Sequence, residues 1–154
     1  MALVDKPFPP GDYGVVVVGS GPGGLQTSYS LRALGVPHAV LSADDEPGGM
    51  FRRFPVFERL ITWTKPDAPF ERGTREYEWY DHNSLLAAEP DSRALVPEFM
   101  DRTFSVPSRP EMEAGLRAHA ERTGLATRDR WRGGGPRRGD DGLVLTTAGG
   151  GYRR

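Results

Sequence analysis

Residues 13–42, YGVVVVGSGPGGLQTSYSLRALGVPHAVLS, carry the clearest indication of the fold class. Residues 13–18 form a valine-rich run with no polar face, which predicts a strand covered on both sides in a parallel sheet. Residues 25–34 have apolar side chains at helical spacing, and Gly35 follows where a left-handed C-terminal cap would end a helix. Residues 38–42 are a second apolar run. The pattern predicts strand, glycine turn, helix and strand, a right-handed crossover between parallel strands.

A glycine motif of the form G-x-G-x-x-G lies between the first predicted strand and the helix. Its six residues are Gly19, Ser20, Gly21, Pro22, Gly23 and Gly24. The first glycine permits a tight turn, the second lets backbone approach a pyrophosphate, and the third lets the helix pack closely on the sheet. N–H groups of the first helical turn would then face the ligand. A turn that merely joins strand to helix is the alternative, but both flanks favour dinucleotide binding.

The residue expected to hold the ribose departs from the usual pattern. About twenty residues after the motif, a carboxylate normally accepts hydrogen bonds from the ribose hydroxyls. Ser42 occupies that place and Asp44 and Asp45 follow it, so the ribose contact is assigned to Ser42 or Asp44. Loss of the acid can also indicate a 2′-phosphate site, which requires a nearby arginine. Since the residues behind Ser42 are acidic, NADP is not expected in this first site.

Two regions farther along the chain have interpretable patterns. Ser108 and Glu111 have the spacing of a capping box, which predicts a helix that begins at Ser108 and ends at Gly124. Residues 143–147 predict a strand, and the glycines after it predict a turn into a second strand. These two strands would form a β-hairpin layer beside the parallel sheet.

The remaining segments lack a sustained period. Residues 44–109 are rich in aromatics and proline, which predicts a long excursion with short helices. The proline-rich residues 1–12 are interpreted as a flexible leader, so that residues 13–154 form one domain. The arginines and glycines after residue 122 faintly resemble a single-strand RNA-binding segment, but a solvated loop is the preferred interpretation.

The composition excludes several functional classes. Twenty basic residues against twenty-one acidic ones create no global field, so neither nucleic acid nor an anionic membrane is expected as a partner. The chain has no cysteine, which removes the dithiol mechanism of disulfide-reducing flavoenzymes. Its three histidines have no metal spacing, so no metal is expected. A signal peptide and an apolar run of roughly 18 residues are both missing, so a cytoplasmic protein is expected.

GSGPGGLQTSYSLRALG, followed by a second strand and then EPGGMF, resembles the amino-terminal end of FAD-dependent oxidoreductases, particularly flavin monooxygenases and their bacterial relatives. Pro22 and the Gly48-Gly49 pair carry most of this resemblance. It extends roughly over residues 12–152, with only the first forty residues specific. The resemblance implies an α/β FAD/NAD(P)-binding Rossmann-like domain with FAD as cofactor. It also implies that a second set of residues lies along the FAD between ribose and flavin, namely Gly49, Met50 and Phe51.

The resemblance also implies parts that this sequence lacks. Such proteins continue after the hairpin with a returning strand and usually a second G-x-G-x-x-G for NADPH. We therefore expect an apparently truncated fold with a hydrophobic sheet edge, where another chain would complete the fold. NAD(P)H would act through a part not present here, and a small molecule would be the substrate.

Few other side chains have a predicted role. Arg109, in the first turn of its helix, is a candidate for the FAD diphosphate, although a solvated arginine there is as well supported. The stretch at residues 54–66 resembles the part that such proteins place beside the flavin. Polar residues near it fix no acid and base pair, so no catalytic residue is assigned; they are Lys65, Asp67, Asp81 and His82.

Three functional hypotheses follow from the sequence. The leading one is the FAD-binding part of a flavin-dependent oxidoreductase, monooxygenase-like and with NAD(P)H as electron donor. The second is a dinucleotide-binding module without turnover. The third makes the glycine motif the NAD site of a plain dehydrogenase.

Overall fold

The computed structural model describes residues 6–61, 69–81, 83–139, 142–147 and 150–153. Its strands are β1 (Gly11–Asp12), β2 (Val15–Val18), β3 (His38–Leu41), β4 (Arg137–Gly139), β5 (Gly142–Thr147) and β6 (Gly150–Arg153). Its α-helices are α1 (Pro22–Ala33), α2 (Arg75–Trp79), α3 (Val96–Phe99) and α4 (Arg109–Thr123). Short 3-10 helices lie at Gly49–Arg52 and Pro90–Ser92. Lys65, Asp67 and His82 lie outside the described residues.

The predicted crossover unit is confirmed. β2 pairs in parallel with β3, from Val15 opposite His38 to Val18 opposite Leu41, and α1 connects the two strands. The helix is followed by Gly35 at a φ of 69°, which is the left-handed cap that the sequence predicts. On its other side, β3 pairs in parallel at Leu41 with Arg128. The parallel layer thus runs in the order Arg128, β3, β2.

The hairpin layer is wider than the sequence indicates. Its strand order is β1, β6, β5, β4, and the β5–β6 hairpin confirms the two predicted strands. β4 pairs antiparallel with β5 inside a stretch interpreted as a solvated loop. β1 pairs in parallel with β6 through Gly11 and Asp12, so ordered backbone begins before the predicted start at Tyr13. Both added strands are only two or three residues long, too short to produce a period in the sequence.

The main core lies between α1, α4 and the irregular excursion. Leu25 of α1 and Met112 and Leu116 of α4 are fully buried in it. The predicted capping box is confirmed, since Ser108 accepts from the Glu111 N–H and the Glu111 side chain accepts from the Ser108 N–H. α4 ends at Gly124, which has a φ of 64°. No described helix combines the length and apolar character that crossing a bilayer requires.

His119 should make the stability of this core depend on pH. Its ring is buried, Nδ1 donates to the Ser92 carbonyl at 2.8 Å, and Nε2 has no hydrogen-bond partner among the described residues. Burial lowers the pKa of His119, and the Ser92 bond only partly opposes this. The unfolded state therefore binds the proton more readily, so stability should fall as the pH drops below about 6.5, the ordinary histidine pKa.

Urea unfolding at pH 7.5 and pH 5.5 would measure this effect. We expect His119→Leu, which fills the site without a titratable ring, to show a smaller loss of unfolding free energy on acidification than the wild type. Equal losses in both proteins would mean that His119 is not the responsible group.

Candidate dinucleotide-binding site

The glycine loop begins where β2 ends. Gly19 adopts a φ of 104°, a conformation that residues with a Cβ rarely take. Its N–H donates to the Leu41 carbonyl at 2.7 Å, which ties the loop to the end of β3. The loop is thus held at the carboxyl ends of two parallel strands, the edge where open α/β sheets bind ligands.

Close packing of α1 on β2 depends on Gly24. A Cβ at this position would lie 2.0 Å from the Gly19 carbonyl oxygen and 2.9 Å from the carbonyl carbon. No side chain fits in that space without moving backbone. The packing role predicted for the third glycine is therefore confirmed.

The head of α1 has the features of an anion site. Gly21 is the N-cap residue, no described side chain caps the helix there, and its first turn contains no acidic residue. Pro22 has no N–H, and the Leu25 N–H donates to the Gly21 carbonyl at 3.0 Å. The first-turn N–H groups of Gly23 and Gly24 thus stand at the positive end of a twelve-residue helix.

A second glycine turn, at Gly48 and Gly49, is hydrogen-bonded to the glycine loop. Gly48 has a φ of 78°, and its N–H donates to the Ser20 carbonyl at 2.9 Å. A Cβ on Gly48 would meet Leu116 of α4 at 3.0 Å, and one on Gly49 would meet the Asp44 Cβ at 2.8 Å. The turn therefore fits between α4, Asp44 and the glycine loop only because both residues are glycine.

Two buried serines join the two βα connections. Ser20 and Ser42 are 0% and 1% exposed, and their Oγ atoms are 2.7 Å apart. The Ser42 Oγ also accepts from the Asp44 N–H at 3.3 Å. Both Oγ atoms are thus buried and bonded to each other within the protein. Of the two residues predicted to hold the ribose, Asp44 is the more exposed, and we prefer it in the proposal below.

Asp44 and Asp45 each pair with an arginine. Its carboxylate accepts from Arg53 Nη2 at 2.5 Å, while the neighbouring Asp45 accepts from Arg130 Nε at 2.7 Å. Hydrogen bonding and charge from Arg130 lower the pKa of Asp45. The acidic residues that follow Ser42 are thus paired with arginines in the folded chain. Arg53 lies nine residues after Asp44, whereas Arg130 comes from a distant segment that no spacing in the sequence links to Asp45.

The remaining predicted site residues take different positions. The Met50 sulfur lies 3.0 Å from where a Gly21 Cβ would be, so this side chain borders the glycine loop. Phe51 is 3% exposed and belongs to the main core, and its place along the FAD stays a prediction. Arg109 donates to Glu58 at 2.8 Å and to the Arg52 carbonyl at 3.3 Å. These bonds hold the Arg109 side chain at Arg52, the last residue of the Gly49–Arg52 helix.

The stretch predicted to lie beside the flavin is described only in part. Its residues 62–66 lie outside the described residues. The rest carries several exposed apolar side chains, including Phe54, Val56, Phe57 and Ile61.

Comparison of this fold with solved structures gives matches among flavoproteins. A flavin monooxygenase from Stenotrophomonas maltophilia has a TM-score of 0.62 at 20% identity, over 92% of this chain and 35% of that one. A bacillithiol disulfide reductase from Staphylococcus aureus has a TM-score of 0.59 at 12% identity, over 92% and 35%. At such identities the likeness shows the fold alone. The α/β class predicted from the sequence, an FAD/NAD(P)-binding Rossmann-like domain, is thereby confirmed.

Sequence comparison gives a narrower relationship. The FAD-dependent oxidoreductase domain-containing protein 2 of Mus musculus is 32% identical over 92 residues, and that of Danio rerio is 34% identical over 94 residues. Each match uses 55% of this chain but only 14% and 13% of the relatives. No family model matches the chain.

The fold and the glycine loop together show that this chain has an FAD/NAD(P)-binding Rossmann-type fold. By sequence it is similar to part of the FAD-dependent oxidoreductases, and the predicted resemblance to them is confirmed.

Proposed function

We propose that this chain binds FAD at the head of α1 and serves as the FAD-binding part of a flavin-dependent oxidoreductase. The observation that carries the proposal is the uncapped helix start at Gly21, placed at the carboxyl ends of β2 and β3. Backbone N–H groups there are fixed in advance, so an incoming diphosphate replaces water without reorganising the protein.

Each part of the site has a distinct task in this proposal. The N–H groups of Gly23 and Gly24 donate to the diphosphate, and Asp44 accepts from a ribose hydroxyl with the carboxylate oxygen that Arg53 leaves free. The second glycine turn positions Met50 beside Gly21 and Asp44 beside the loop. Bound FAD would supply hydride and one-electron chemistry, while the protein supplies binding and orientation.

Monooxygenase-like activity with NAD(P)H as electron donor is the finer part of the proposal. It is supported by the flavin monooxygenase among the structural neighbours and by a steroid monooxygenase whose structure contains NADP, with a TM-score of 0.61 at 20% identity. In this proposal NAD(P)H and a small-molecule substrate bind mainly in the parts of such proteins that this chain does not cover, since it spans 35% of the flavin monooxygenase. We also propose a cytoplasmic location.

Titration of the purified chain with FAD, followed by quenching of flavin fluorescence, tests the proposal. We expect saturation at one FAD per chain, with NADH competing only weakly. Saturation by NADH and none by FAD would instead indicate the NAD site of a plain dehydrogenase. Absence of saturation with either dinucleotide would contradict the proposal.

Asp44 and Ser42 should respond differently in the same titration. Asp44→Asn removes the charged acceptor, so FAD affinity should fall about tenfold, the cost of one hydrogen bond to a charged group. Ser42→Ala leaves the buried Ser20 hydroxyl without its partner, so it should cost about 1–3 kcal/mol of unfolding free energy while FAD affinity stays within about threefold. The reverse pattern would restore Ser42 as the ribose ligand.

A further inference from the structure

A groove lies between α4 and the chain that leads into α3. It has a volume of about 620 Å³, and we call it the α4 groove. One wall is a row of α4 residues at i, i+4 spacing, namely Pro110, Ala114, Ala118 and Arg122. The facing wall is formed by residues 93–95 and 98–99. None of these residues belongs to the glycine loop, so the α4 groove is a separate site.

The interior of the α4 groove is apolar. Its α4 wall carries only the methyl groups of Ala114 and Ala118, which leave the space open. Next to them lies the buried Gly115, where a Cβ would come within 2.6 Å of the Phe99 ring. The ring therefore packs against the backbone of α4, and with the buried Leu95 it gives the groove an apolar surface.

Four charged residues that line the α4 groove are engaged in bonds within the protein. Arg72 Nε donates to Glu98 at 2.7 Å, and Arg93 forms an ion pair with Glu78. Glu111 is held in the capping box of α4. Their charges are therefore compensated by neighbouring groups and add little to the attraction of a ligand.

Arg122 lines the same groove with a charge that no described carboxylate pairs. Its guanidinium donates to two carbonyl oxygens, from Nε to Ala118 at 3.2 Å and from Nη2 to Arg93 at 3.3 Å. These bonds hold the guanidinium in place and leave donors on Nη1 and Nη2 unused. A cation in the last turn of α4 also suits the helix dipole, but the dipole does not account for the adjoining apolar cavity.

We propose that the α4 groove binds a small molecule with an apolar body and one carboxylate. The apolar body lies along Ala114, Ala118 and Phe99, and the carboxylate accepts hydrogen bonds from Arg122. Arginine suits this task because its planar group donates parallel bonds to a carboxylate. A polyanion such as nucleic acid would need several unpaired cations, and among the described lining residues Arg122 is the one without an acidic partner.

The α4 groove and the second glycine turn lie against different faces of α4. Leu116 is the α4 side chain that a Cβ on Gly48 would meet, whereas Ala114 and Ala118 line the groove. Positions two residues apart on a helix differ in direction by about 200°. A ligand in the groove therefore leaves the dinucleotide site free, and the inference does not depend on FAD binding.

Hydrocinnamate, an aromatic carboxylate, and its neutral amide provide the probes for an NMR titration of the isotopically labelled full chain. We expect saturable shift changes with hydrocinnamate at the N–H groups of Gly115 and Ala118, and binding of the amide that is weaker by about tenfold. Arg122→Gln should weaken the binding of hydrocinnamate by about the same factor and leave that of the amide unchanged. Arg138→Gln, at an exposed arginine of β4, is the matched control and should bind as the wild type does.

Ala114→Leu should abolish the binding of both probes, because leucine fills the groove and is itself a good helix former. Ala33→Leu, at an exposed alanine of α1, makes the same change elsewhere and should have no effect. Gly21→Val should also bind hydrocinnamate normally, which separates this inference from the dinucleotide proposal. Lack of saturable binding, equal affinity for acid and amide, or full binding by Ala114→Leu would overturn the inference.

Discussion

Gly21→Val should abolish FAD binding, with a loss of affinity of about 100-fold or more. The new side chain would project from the N-cap of α1, where backbone must approach the diphosphate, and its Cβ would meet the Met50 sulfur at 3.0 Å. The backbone of Gly21 lies in the extended region at a φ of −78°, which valine adopts, so the fold should persist. Flavin fluorescence titration measures the affinity, and urea unfolding checks the fold.

Two further variants separate the causes of that loss. Gly23→Ala adds a Cβ that meets nothing within 4 Å, so it should keep its FAD affinity within about threefold. Adding Met50→Ala to Gly21→Val removes the contact with sulfur but leaves the valine in the path of the diphosphate. Recovery of FAD binding in this double variant would show that Met50, and not the approach of the diphosphate, required glycine.

Gly24→Ala should destabilise the whole protein. Its Cβ would lie 2.0 Å from the Gly19 carbonyl oxygen, so α1 must move away from β2 or the loop must change its conformation. We expect a loss of about 3 kcal/mol or more of unfolding free energy, and a fall in Tm of roughly 6–12 °C. Urea and thermal unfolding of the apoprotein measure both.

Gly23→Ala is again the matched control, because it makes the same change one residue earlier in the same helical turn. Its unfolding free energy should stay within about 1 kcal/mol of the wild type. A Gly24→Ala variant as stable as Gly23→Ala would contradict the close packing of α1 on β2.

The sequence predicts those parts of the fold that depend on a few consecutive residues. The valines of β2, the glycine motif and the cap at Gly35 each leave a signal within a few residues, and the structure has all three. The capping box of α4 is equally local. Such elements are determined mainly by neighbours along the chain, which is why a single sequence reveals them.

Contacts between distant segments were not predictable in this way. Ser20 meets Ser42 across two connections, and Arg130 reaches Asp45 from a segment that joins the sheet beside β3. The serine at the end of β3 stands where a ribose ligand is expected, and its burial against Ser20 could not be read from its position. Phe51, two residues after the glycine pair, packs in the core, and its local sequence does not distinguish a core position from one beside a cofactor.

Amide NMR spectra of the isotopically labelled chain, recorded with and without FAD, show whether the diphosphate binds at the glycine loop. Hydrogen bonds from the head of α1 to a diphosphate should produce the largest shift changes at the N–H groups of Gly23 and Gly24. FAD that leaves these two signals in place while it shifts others, or shifts none, would contradict a diphosphate site at the glycine loop.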